Sequence, residues 1–133
     1  MDKERIKIII SDIEFLFGKL EKWKPTKESL KEDKDFFAVS MNLFSMLNRT
    51  IDLGEEVLSS YHIVPKDYYD IFEKLKKEGV INEELSEKMK SLAKRRNILA
   101  HYYQDVGEKD LLNLLRDIPF VRDFIERIKK FVK

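Results

Sequence analysis

The sequence predicts an all-α protein, an up-and-down bundle of four main helices plus one short extra helix, and three observations carry that expectation. Apolar residues recur at steps of three and four along most of the 133-residue chain, the spacing that places them on one face of a helix. Four glycines and three prolines are too few for the tight turns of a sheet-rich protein, whereas Leu, Lys and Glu, all good helix formers, abound. A hydrophobic content of 43% suffices for one core in a chain of this length, so residues 1–133 read as a single domain.

The first helix covers residues 2–22, with Ile6, Ile9, Ile10, Ile13, Phe17 and Leu20 on one face, and Pro25 marks its end. The stretch "KPTKESLKEDK" is a charged connection with room for a short helical turn after Thr26. A long second helix runs from Asp35 to about Tyr61, its apolar residues at 36, 37, 39, 43, 44, 47, 51, 57 and 58. Asp35 is placed to accept from the free amides of its first turn, and Gly54 permits close packing. A loop ending at Pro65 leads to the short helix, where Tyr68, Ile71, Phe72 and Leu75 face inward and Gly79 closes the C-terminus. Asn82 caps the next helix, which runs from Glu83 to about Gln104, where Asp105 and Gly107 supply a break. The last helix starts near Glu108, and Pro119 kinks or divides it.

Charge and cysteine usage exclude several classes of function. The 26 basic and 25 acidic residues nearly cancel, so no global field draws in nucleic acid or an anionic membrane, and any such binding needs a local patch. The absence of cysteine removes disulfides, thiolate catalysis and Cys-ligated metal. Asp12, Glu14 and Lys19 interrupt the apolar N-terminal stretch, which reads as a core helix and not as a leader, and no apolar run approaches the roughly 20 residues that span a bilayer. A cytoplasmic protein without membrane contact is expected. His62 and His101 are the only histidines, and no helix carries a paired carboxylate–His ligand pattern, so neither a metal nor any other cofactor is expected.

Chemistry concentrates in "KRRNILAHYYQDV", residues 94–106. The fourth helix has an apolar seam that steps through Leu85, Met89, Leu92, 96, Leu99 and 103, and two of those positions are Arg96 and Tyr103. A charge on a seam is costly unless it is paired or faces a wet cleft. A structural ion pair, for instance with Asp52 on the second helix, explains Arg96 about as well as a functional role does. Asn97 and His101, four apart, form a second row beside the seam. Arg96 and His101 are separated by about 140° around an ideal helix and about 7.5 Å along it, so a site using both needs the long arginine to reach round, a distorted last turn, or a second chain. For His101, Tyr102 and Tyr103 taken singly, ordinary packing is the commoner outcome. Together, Arg, Asn, His and Tyr at these offsets are a set able to bind phosphate, orient a base and transfer a proton.

"RNILAHYY" fits the pattern R-x4-H-x-Y, with Arg96, His101 and Tyr103 at its fixed positions, and it resembles the HepT-like branch of the HEPN superfamily. The preceding "YYDIFEKLKKEGVINEELSEKMKSLAKR" is similar to the short helix, turn and motif helix of that family, and the resemblance covers residues 35–130 well and the first helix more loosely. The resemblance implies a HEPN-like helical bundle that forms a homodimer in which the two motif helices meet, and a metal-independent endoribonuclease activity. It gives Arg96 the scissile phosphate, His101 the role of general base or acid, and Asn97 that of orienting the phosphate or His101. Two copies about a two-fold axis would form a shared cleft without requiring Arg96 and His101 on one helical line. It also implies a toxin–antitoxin pair whose second member is an MntA-type minimal nucleotidyltransferase that silences the toxin by AMP modification of Tyr103, with Tyr102 adjacent. Asp52, in "IDLGEE", stands where the family often has an acidic residue and would support the site by pairing with Arg96.

The basic run Lys88, Lys90, Lys94, Arg95 and Arg96, with no acid among them, offers modest support for an RNA substrate, although a solvated helix face explains four of the five equally well. A different class of function is a non-catalytic HEPN-like module that only dimerises and binds a partner or nucleotide. A phosphotransfer bundle fits less well, since His101 lies near a helix end and is followed by two tyrosines.

Overall fold

A computed structural model of the chain describes residues 2–101 and 103–132, apart from the side chain of Tyr103. Among these residues it consists of α-helices and short 3-10 turns, with no strand. Helix α1 spans Lys3–Trp23 and buries all six apolar residues of its expected face. The Asp2 carboxylate accepts from the Arg5 amide at its start, and Lys24, in the left-handed region at φ 50°, ends it immediately before Pro25. In the connection, Thr26 and Ser29 exchange hydrogen bonds between amide and hydroxyl (2.8 and 3.0 Å), fixing a 3-10 turn, Ser29–Lys31, that inserts Leu30 into the core.

Helix α2, Asp33–Ser59, begins two residues earlier than the sequence suggests, so Asp35 lies inside the first turn and not at its cap. Its charge still favours the helix there, because the N-terminal end of the macrodipole is positive. Helix α3, Tyr68–Lys77, is capped by Asp67, whose carboxylate accepts from the Asp70 amide at 2.7 Å, and Gly79 follows it at φ +77°, a conformation that favours glycine. Asn82 caps α4 as expected, its Oδ1 accepting from the Leu85 amide at 2.8 Å. Helix α4 spans Glu83–His101, and where the periodicity suggests helix as far as Gln104 the chain instead forms a 3-10 turn over Tyr103–Asp105. Pro119 divides the last segment outright: α5 is Glu108–Asp117 and α6 is Pro119–Val132, with the proline at the first position of α6, where its missing N–H costs nothing.

Helix α1 packs along α2, α3 along α4, and α2 touches α3, α4 and α5, so it forms the spine of the bundle. Phe72 of α3 and Phe124 of α6 meet edge to face at 5.6 Å in the core. Gly54 lies where α2 crosses α3: a Cβ there would stand 2.6 Å from Ile71 Cγ2. The spine exposes its other face near the N-terminal end, where Phe37 and Met41 are 60% and 63% accessible. That side carries the candidate functional residues.

Candidate active site on the fourth helix

The seam of α4 holds through Leu85, Met89 and Leu92, resumes at Leu99, and is interrupted by Arg96. Arg96 is half-buried, and its surroundings explain how a cation is kept there. The guanidinium carbon lies 5.1 Å from the ring centroid of Phe44 on α2 and 5.1 Å from that of Tyr68 on α3, within the range of cation–π attraction. Its Nε donates to Asn48 Oδ1 at 2.5 Å, and its Nη1 donates to Asn97 Oδ1 at 3.0 Å. Both acceptors are neutral amides, so the positive charge is held without being cancelled. Tyr68, expected to face the core, is 37% exposed instead, because it covers this guanidinium at the rim.

The expected pairing of Asp52 with Arg96 is not formed. Asp52 accepts from Arg49 Nη1 at 3.0 Å, and the same guanidinium takes Asp12 of α1 through Nε and Nη2 at 2.9 and 2.6 Å. Residues three apart on one helix are neighbours, so Arg49 captures Asp52 locally. Its hydrogen bonds to Asp12, then to Asp52, raise the Arg49 pKa above its ordinary value.

His101 is the last residue of α4 and is exposed. Asn97 is exposed as well, and its carbonyl oxygen accepts from Arg96. Arg96, Asn97 and His101 therefore share one helix end. Tyr103 opens the 3-10 turn that follows, while its side chain and the whole of Tyr102 lie outside the described residues.

The basic run is less solvated than its sequence suggests. Lys90 is 6% exposed, with its ammonium 2.6 Å from Glu73 and 3.2 Å from Glu87, and it lies over the ring of Tyr69. Hydrogen bonds from Lys90, then Lys76, hold the Glu73 carboxyl down to about 2. Arg95 pairs with Asp117 at 2.8 Å. Two of the five cations are thus committed to the fold.

Sequence reasoning missed Asn48 and the pairing of Phe44 with Tyr68 about the guanidinium. The available signal was the four-residue step from Phe44 to Asn48 on α2, which gains meaning only once α4 is laid against that face. Beside them a groove of about 320 Å³ opens between α2 and α4, lined by Phe36, Phe37, Met41, Phe44, Leu99 and Ala100, with Phe44 common to the groove and the arginine clamp. Among the described residues no three His, Asp or Glu side chains cluster in a way that could hold a metal ion, and no helix is long and apolar enough to cross a membrane.

Comparison with known proteins agrees with this fold. The chain is 29% identical over 110 residues to a putative RNase of Archaeoglobus fulgidus, an alignment covering 77% of this chain and 83% of the relative. The cytosolic protein YutE of Bacillus subtilis shares the fold with a TM-score of 0.88 at 19% identity, over 99% of this chain and 91% of that one. A tri-AMPylated HEPN toxin of Shewanella oneidensis, solved in complex with its MNT antitoxin, matches with a TM-score of 0.68 at 23% identity, over 94% and 91% of the two chains. A toxin–antitoxin structure with AMP-PNP matches with a TM-score of 0.85 at 20% identity, over 94% and 97%. The family model for HepT-like ribonucleases spans residues 9–128, taking in α2 to α5 whole with Arg96 and His101, and the chain belongs to that family.

Proposed function

We propose that the protein is a metal-independent endoribonuclease and the toxin of a toxin–antitoxin pair, with Arg96 and His101 as catalytic residues. The observation that carries this reading is the state of Arg96: a clamped guanidinium held by two neutral amides, its charge uncancelled, on the same helix end as an exposed histidine. A phosphodiester is the ligand such a fork suits, through charge-assisted and potentially bidentate hydrogen bonds. RNA supplies its own nucleophile in the 2′-hydroxyl. His101 removes the 2′-hydroxyl proton as the oxygen–phosphorus bond forms, or protonates the 5′-oxygen as its bond to phosphorus breaks, and Arg96 stabilises the charge that gathers on the phosphoryl oxygens. Asn97 acts through Arg96, whose Nη1 it holds.

Two chains related by a two-fold axis would place both residue pairs around one cleft. The exposed apolar groove beside Arg96 supports a homodimer, since Phe37 and Met41 gain from leaving water. The partner proposed from the fold neighbours is an MntA-type nucleotidyltransferase, which would join the α-phosphate of ATP to the Tyr103 hydroxyl oxygen as that hydroxyl loses its proton and the bond to the β-phosphate breaks, releasing pyrophosphate. The added charge and bulk at the turn after His101 would exclude an RNA phosphate. Incubation of the protein with this partner and ATP is expected to add AMP masses that vanish in Tyr103→Phe. An unchanged mass with a demonstrably active transferase would sink the regulatory part of the reading.

A further inference from the structure

We infer that Asn48 on α2 is a positioning residue for the reaction, fixing the plane and direction of the Arg96 guanidinium. This rests on the ribonuclease reading above. An arginine side chain has four flexible torsions, and one that must meet a phosphate in the transition state loses rate if it samples many of them. Here three contacts remove that freedom: Phe44 and Tyr68 each lie 5.1 Å from the guanidinium carbon, and Asn48 Oδ1 accepts from Nε at 2.5 Å. The rings restrict displacement of the guanidinium, and the amide oxygen sets its rotation. Of the five donor hydrogens of a guanidinium, Asn48 takes the one on Nε and Asn97 one on Nη1, which leaves both on Nη2 and one on Nη1 for a ligand.

The chemical type of residue 48 matters as much as its place. A carboxylate there would hold the same geometry but cancel charge that a phosphate must feel. The carboxylates that lie near, Asp12 and Asp52, are both occupied by Arg49. Asn48 orients Arg96 without competing with the substrate.

The test compares Asn48→Ala and Asn48→Asp with the wild type in steady-state cleavage of a labelled RNA in chelator, with Arg96→Ala as reference and thermal melts as a check on folding. Asn48→Ala is expected to lower kcat by roughly 10-fold or more with little change in melting temperature. Asn48→Asp restores the acceptor, so kcat recovers toward wild type while KM rises because the pair attracts phosphate less. A merely structural role would not split the two constants in this way. Wild-type kcat in Asn48→Ala, or a kcat in Asn48→Asp as low as in Asn48→Ala, would overturn the inference while leaving the ribonuclease reading intact. A wild-type protein that cleaves no RNA would overturn both.

Discussion

A guanidinium on the seam of a packed helix needs a reason to be there, and at the residue scale the reason is its environment. Arg96 has aromatic faces at Phe44 and Tyr68, neutral acceptors at Asn48 and Asn97, and no carboxylate partner among the described residues. Arg96→Lys is therefore not conservative: an ammonium has neither the plane that stacks nor the fork that binds a phosphate edge. It is expected to lose about 10²-fold in RNA cleavage while melting near the wild-type temperature, as gel-based cleavage rates and calorimetry would show. Arg96 was legible in the sequence because a charge broke an apolar heptad. Asn48 was not, because a half-buried polar residue followed by Arg49 and Thr50 on α2 breaks no pattern. Asp52 was misread because its short-range neighbour Arg49 outcompetes a partner on another helix.

At the scale of elements, apolar periodicity made α1 legible to within a residue at each end, and Gly79 and Asn82 marked the turn between α3 and α4. The 3-10 turn over Tyr103–Asp105 was not legible, since the seam continues in sequence to Tyr103. The crossing of α2 and α3 depends on Gly54. Gly54→Ala brings a methyl to 2.6 Å from Ile71 Cγ2, a stiff β-branched neighbour. Overpacking of about 1–3 kcal/mol outweighs a helix-propensity gain of about 1 kcal/mol, so urea titration should show a net loss of stability. An ion pair adds to the apolar packing of α3 on α4: Glu73 of α3 joins Lys90 of α4, with Lys76 of its own helix beside it. Its folded pKa of about 2 lies below the ordinary 4.5, so its contribution is present above about pH 4.5 and is lost as pH falls toward 2. Glu73→Gln should flatten the acid side of a plot of melting temperature against pH, and an unchanged slope would mean that the pair does not act in solution.

On the scale of the whole molecule, near-neutral net charge and an apolar groove beside a cationic centre point to contact with a second protein surface more than to long-range capture of RNA. A homodimer that shares its cleft makes a specific prediction. Neither Arg96→Ala nor His101→Ala cleaves RNA alone, yet a mixture of the two, exchanged through mild denaturation and refolding, regains part of the activity if Arg96 of one chain serves His101 of the other. No recovery, with mixed dimers demonstrated by native mass spectrometry, would place each working pair within one chain.

The most direct measurement is cleavage of tRNA and other cellular RNAs by the purified protein in excess chelator, beside Arg96→Ala and His101→Ala prepared identically. The wild type is expected to cleave RNA, and each variant to lose about 10²-fold or more. Equal cleavage by the wild type and both variants, or none by an unmodified wild-type protein, would contradict the ribonuclease reading.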